Sequence, residues 1–150
     1  MMEFSDSPSA GKYGHNEHTD LGTLTLLFND QWGLQVKSDT GYKYVRPVEG
    51  HAIVNVGDCL RFMSGNKLKS ALHRVAPPAL TRPRLSFGYF LRPDDGAMIN
   101  MPDGSQFSAE AWTEKKYVLH QSSLSSSDEK TMLTGWMDKS EGHGGIQVQT

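Results

Sequence analysis

His18 and Asp20, in the stretch His18-Thr19-Asp20, stand two residues apart, so an extended backbone projects an imidazole and a carboxylate to the same side. Together they offer one nitrogen and one oxygen ligand to a single metal ion. Completed by a distant second imidazole, the pair would form the 2-His-1-carboxylate facial triad, which holds Fe(II) on one face and leaves the opposite positions open. Further histidines at positions 15, 51, 73, 120 and 143 leave the third ligand undecided by spacing alone. Context separates them. His73 lies in Leu72-His73-Arg74-Val75, an apolar extended segment stopped at Pro77-Pro78, whereas His15 sits in a polar N-terminal stretch and His51 follows a turn glycine. His120 falls at a helix end and His143 in a polar tail. An isolated His-x-Asp is more often a hydrogen-bonded surface pair than a metal site.

A second pair changes that balance. Arg84 and Ser86, in Arg84-Leu85-Ser86, share a strand face eleven positions beyond His73. A guanidinium fork beside a hydroxyl suits a carboxylate, because arginine donates two parallel charge-assisted hydrogen bonds to it. Alone, an Arg-x-Ser reads as a solvated strand face. The cations Lys67, Lys69, Arg74, Arg82, Arg84 and Arg92 read as exposed strand and turn positions around one anion-binding arginine. Asp58 reads as a partner for turn backbone groups, and Cys59 as a small buried hydrophobe with no His-and-acid pattern to activate it. Trp32, Trp112 and Trp136 read as packing residues.

The elements that must position these groups are mostly strands. Fifteen glycines and seven prolines punctuate the chain into short pieces. Residues 1–17 are polar and read as an exposed lead-in or the remnant of a first strand. Alternation around Leu24, Leu26 and Phe28, then Leu34 and Val36, then Tyr42, Tyr44 and Val45, predicts three strands separated by the turns 29–33 and 38–41. Ala52 to Val56 is a β-branched run. Cys59 to Met63 is an apolar segment ending at Ser64-Gly65-Asn66, and Leu68, Leu72 and Val75 suggest another extended one. Arg84 to Leu91 is the most strand-like run of all. Six to eight short strands at near-regular spacing are the signature of an antiparallel sandwich or barrel. Past Pro93 the pattern changes: Ser108 is an N-cap candidate, and Trp112, Lys116 and Leu119 at helical spacing predict a helix over 109–120 packed outside the sheet. Residues 132–137 are expected to dock as a short turn. The serine-rich and glycine-containing remainder of 121–150 reads as a flexible extension to a core over 1–120.

In order and spacing, residues 18–28 (HTDLGTLTLLF), 33–36 (GLQV), 54–58 (VNVGD), 68–75 (LKSALHRV), 84–86 (RLS) and 90–93 (FLRP) resemble the Fe(II) and 2-oxoglutarate dependent dioxygenases of the isopenicillin N synthase-like superfamily. The resemblance covers roughly residues 13–93, and the helix more loosely. It implies a double-stranded β-helix, or jelly roll, in which His18, Asp20 and His73 are the iron ligands. Arg84 and Ser86 would hold the distal carboxylate of 2-oxoglutarate, whose keto acid end chelates the iron and leaves a position for O2. The implied reaction couples oxidative decarboxylation of 2-oxoglutarate to hydroxylation or desaturation of a small organic substrate. An iron oxidase of the same fold that does not use 2-oxoglutarate, and a catalytically silent jelly-roll binding module, are the alternatives. Family members are normally longer, and only 17 residues precede His18, so the chain is expected to be the C-terminal catalytic core without the N-terminal region. A sheet so interrupted exposes unpaired backbone, and self-association is expected.

Composition bounds the rest. In 150 residues there is room for one domain, and 15 Lys plus Arg against 17 Asp plus Glu give a net charge of -2, which creates no field for nucleic acid or anionic membrane. No apolar run approaches the roughly 20 residues of a membrane span. One cysteine and no secretory pattern lead to a soluble, cytoplasmic expectation.

Overall fold

The structure, a computed structural model, describes residues 4–6, 15–78, 83–101, 103–121, 131, 132, 134 and 135. In chain order the elements are β1 Phe4–Asp6, β2 His15–His18, β3 Leu24–Asn29, β4 Leu34–Ser38, β5 Gly41–Val45, β6 Ile53–Val56, α1 Asp58–Met63, β7 His73–Val75, β8 Ser86–Phe90, β9 Met98–Asn100, β10 Gln106–Ser108 and α2 Ala109–Gln121. Two antiparallel sheets carry the strands: five in the order β1-β5-β4-β7-β2 and three in the order β6-β3-β8, with β9 and β10 forming a separate hairpin. Alternation decides which residues meet between the sheets. Leu34 and Val36 of β4 and Val45 of β5 pack with Ile53 of β6 and Leu27 of β3 in one buried cluster that also holds Ala71. The architecture is the jelly roll.

Of the polar stretch before His18, the described residues 4–6 and 15–17 are strand, the second of the two readings: β1 pairs with β5, and β2 pairs with β7. Cys59 to Met63, an apolar segment of no assigned type in the sequence, is helical. Its apolar residues do not alternate, and a helix places Cys59 and Phe62 on one face, where both enter a second core cluster with Ile99, Met101, Ala109 and Trp112. Gly65 and Asn66, both at φ 62°, then reverse the chain. The segment expected to be extended from Leu68 is a strand only over His73–Val75.

Helix α2 begins one residue past Ser108, whose Oγ accepts a hydrogen bond from the Ala111 N–H at 3.2 Å. It lies outside the two sheets, on α1 and the β9–β10 hairpin, through Trp112. Met132 packs against the same cluster. Most of the extension expected over 121–150, with His143 and Trp136, lies outside the described residues. Among the described residues no helix is long and apolar enough to cross a membrane.

Candidate metal centre

Strand register brings the two imidazoles together. His18 stands opposite His73 in the β2–β7 pair, after an irregularity that separates it from the His15–Val75 pairing, and the two rings are 4.4 Å apart between centroids. Each ring is fixed from behind: His18 Nδ1 donates to the Asn16 carbonyl at 2.7 Å and His73 Nδ1 to the Ala71 carbonyl at 2.9 Å. A carbonyl only accepts, so Nδ1 carries the proton and Nε2 the lone pair. Both Nε2 atoms lie 3.6 Å from Asp20 Oδ1. Asp20 is fixed in the same manner, because its other oxygen, Oδ2, accepts from the Thr25 hydroxyl at 2.6 Å and the Asn55 amide at 2.8 Å. The result is three ligand atoms within 4.8 Å of one another, the metal-compatible cluster of three found among the described residues.

The electrostatics suit a cation. Burial alone would raise the Asp20 pKa, but His18, the His73 charge, Asn55 and Thr25 outweigh it and hold the carboxyl well below the usual range. Burial lowers the pKa of His18, against the opposing pull of Asp20, with the His73 charge adding to the lowering. A neutral imidazole at His18 and an ionised carboxylate at Asp20 are the protonation states a divalent metal requires of such ligands.

The cluster opens onto a cavity of about 430 Å3 between the sheets, walled by apolar residues that include Leu27, Leu34, Val36 and Ile53. Ser86 also lines it. Arg84 Nη1 donates to Ser86 Oγ at 3.2 Å, so the expected Arg-Ser pair is formed. The remaining guanidinium donors have no such use: Arg84 Nε and Nη2 are buried and, among the described residues, have no hydrogen-bond partner. Buried N–H groups left unpaired in this way fit an incoming carboxylate. Burial lowers the Arg84 pKa, and the Asp30 charge opposes it. Gly33, at φ 153°, lets the side chain lie there, since a Cβ on it would stand 2.8 Å from Arg84 Nε.

Of the other histidines, His15 is exposed and stacks 4.4 Å from the His18 ring, and His51 is exposed and bonded to the Glu49 carbonyl. Neither joins the cluster. Residues 3–93 match the family model of the 2OG-Fe(II) oxygenase superfamily. The chain belongs to this superfamily. All five of the sequence-predicted site residues lie within the matched span. The 2-oxoglutarate-dependent dioxygenase iboH of Amanita muscaria is 46% identical over 84% of this oxygenase-family chain and 65% of its own length. For the oxidoreductase vrtI of Penicillium aethiopicum the identity is 44% over 89% of this chain and 33% of the relative. The chain therefore spans about two thirds of the first relative and one third of the second. Among solved structures, a full-length Neurospora crassa protein in complex with alpha-KG superposes with a TM-score of 0.61 at 32% identity, covering 72% of this chain and 38% of that one. The rice dioxygenase for auxin oxidation gives 0.62 at 27% identity, covering 73% and 42%.

Sequence reasoning missed the groups behind the ligands. Thr25 and Asn55 were read only as strand positions, although both project from the inner faces of β3 and β6 toward Asp20. Asp58 does not serve turn backbone groups with its carboxylate, which instead lies fully buried against Thr19, Ser70 and Lys116. The available signal was Lys116 itself, a charge on the stripe that holds Trp112 and Leu119. A lysine on a buried helix face demands a buried anion.

Proposed function

We propose that His18, Asp20 and His73 hold Fe(II), and that Arg84 and Ser86 hold a carboxylate of 2-oxoglutarate. The reaction we propose oxidises a small organic substrate by hydroxylation or desaturation, with O2 as oxidant. The observation that carries the reading is the division of labour at the three ligands: each has one polar atom bonded to protein and the other turned to a common point. When bound, the iron supplies O2 activation, with 2-oxoglutarate losing CO2 to become succinate as a C–H bond of the second substrate is oxidised.

The chain's own residues orient and exclude. The Asn16 and Ala71 carbonyls fix the imidazole tautomers, Thr25 and Asn55 fix the carboxylate, and the unpaired Arg84 N–H groups donate to the co-substrate's carboxylate. Leu27, Leu34, Val36 and Ile53 keep water from the reacting centre. Thymine is held by a Neurospora crassa neighbour in one of its structures, and a cavity of about 430 Å3 accommodates a molecule of that class. A cytoplasmic, reducing setting belongs to the same proposal, because Fe(II) must stay reduced and Cys59 is a free thiol. So does self-association, supported by the apolar residues exposed on the three-stranded sheet.

The deciding experiment is anaerobic addition of Fe(II) and then 2-oxoglutarate, followed by air and a succinate assay with labelled 2-oxoglutarate. A weak visible charge-transfer band and succinate release are expected. A well-folded chain that shows neither overturns the reading, and a chain that binds iron but releases no succinate points to the oxidase alternative.

A further inference from the structure

Behind the metal-facing side chains lies a polar cluster that the proposed chemistry leaves unused. Asp58 and Lys116 are fully buried and paired through Oδ2 and Nζ. Asp58 Oδ2 accepts from the Thr19 hydroxyl at 2.8 Å, Oδ1 accepts from the Ser70 hydroxyl at 2.9 Å, and Lys116 Nζ donates to Thr19 Oγ1 at 2.8 Å. The Asp58 backbone N–H also donates to the Asp20 carbonyl at 2.8 Å. Gly135 closes the cluster from the far side, where a Cβ would stand 2.6 Å from Asp58 Oδ1 and 2.7 Å from Thr19 Oγ1.

The positions of the two hydroxyls give the cluster its meaning. Thr19 lies between His18 and Asp20, and Ser70 lies three residues before His73. One carboxylate thus ties together the two segments that supply all three ligands, and a lysine from α2 completes its charge. Burying an ion pair adds little to stability compared with apolar residues of similar volume, so the pair is better explained by what it holds in place. We propose that Asp58 and Lys116 are positioning residues, which set the separation of the two ligand-bearing segments and thereby tune metal affinity from helix α2. The proposal rests on the metal reading of His18, Asp20 and His73.

Titration of the full chain with Co(II), read through its d–d absorption, tests it without turnover. The Thr19→Val/Ser70→Ala double variant detaches both segments while leaving the two charges paired. Its Co(II) affinity is expected to fall about tenfold or more, with an altered band, the usual scale for groups that orient metal ligands. Leu119→Ala, which removes buried volume from α2 one turn beyond Lys116 and leaves both hydroxyls in place, controls for general loosening and is expected to keep wild-type affinity. Wild-type affinity and band in the double variant overturn the proposal, as does an equal loss in Leu119→Ala. If circular dichroism shows the double variant unfolded, the single variants are read by the same titration, and wild-type affinity in both overturns it. The metal reading has its own outcome: a wild-type chain that binds no Co(II), or His73→Ala that binds it as well as wild type, sinks that reading and this proposal with it.

Discussion

At the scale of single residues, a group with an unused polar atom announces a ligand, and a group with every atom committed announces structure. Arg84 is of the first kind, with two buried donors unpaired among the described residues. A hydrogen bond to a charged group is worth about 1.5–3 kcal/mol, which corresponds to roughly 10- to 100-fold in affinity. Arg84→Ala is therefore expected to raise the 2-oxoglutarate concentration for half-saturation by about that factor while leaving Co(II) affinity unchanged. Anaerobic titration of the charge-transfer band measures the first and d–d absorption the second, and a loss of metal binding would show that Arg84 supports the fold instead. Cys59 is of the second kind: its thiol donates to the Leu21 carbonyl at 2.9 Å, and burial, reinforced by the Asp58 charge, pushes its pKa up to about 12. Below that value the thiol stays protonated, so iodoacetamide at pH 8 should label Cys59 only after denaturation. Mass spectrometry of the native and unfolded chain checks it, and rapid native labelling would count against the buried placement.

At the scale of elements, the loop that follows Asp20 is held by backbone before any side chain acts. The N–H groups of Gly57, Asp58 and Cys59 donate to the carbonyls of Thr23, Asp20 and Gly22 at 2.8, 2.8 and 3.0 Å, which fastens residues 20–23 to the start of α1. The approach is so close that a Cβ on Gly57 would stand 2.4 Å from the Gly22 carbonyl oxygen and 3.1 Å from that of Asp20. Gly57→Ala must push the two backbones apart, at a cost of about 1–3 kcal/mol. A lower melting temperature together with weaker Co(II) binding is the expected outcome, and an unchanged melting curve would refute the contact. This staple was hidden in the sequence, where Gly57-Asp58 reads as a turn and Cys59 to Met63 only as an apolar run. Such a short apolar segment carries no period, and only the cluster formed by Cys59, Phe62 and Trp112 selects the helix. The β9–β10 hairpin was hidden for a similar reason, since each of its strands has three residues and Ile99 is the one fully buried among them. By contrast β3 and β4 were legible from alternation, β8 from its strand-like run, and α2 from its cap and its buried stripe. The grouping of His18, Asp20 and His73 was legible because an ordered set of motifs accompanies it, whereas the Asp58–Lys116 pair spans 58 positions and only the fold reveals it.

At the scale of the whole molecule, the three-stranded sheet has two faces of unlike fate. Leu27, Ile53, Gly88 and Phe90 line the cavity, so their neighbours along each strand point away from it. Those neighbours are apolar as well. Phe28 pairs with Phe87, and Leu26 pairs with Tyr89 on one side and Val54 on the other, which gathers one outward apolar surface. Phe28, Val54, Phe87 and Tyr89 are 45%, 49%, 64% and 56% exposed. A patch of this kind favours burial over solvation, and the strands beside it, β6 and β8, are the sheet's edges among the described residues and so face a neighbouring copy. The 150-residue chain is accordingly expected to sediment as larger species as its concentration rises. Phe87→Ser/Tyr89→Ser should shift it toward the monomer, because both side chains lie on the outward face and neither lines the cavity. Co(II) affinity should be retained in that variant, which separates loss of association from loss of fold. A wild-type chain that stays monomeric across the whole concentration range would mean that this face is tolerated in water as it stands.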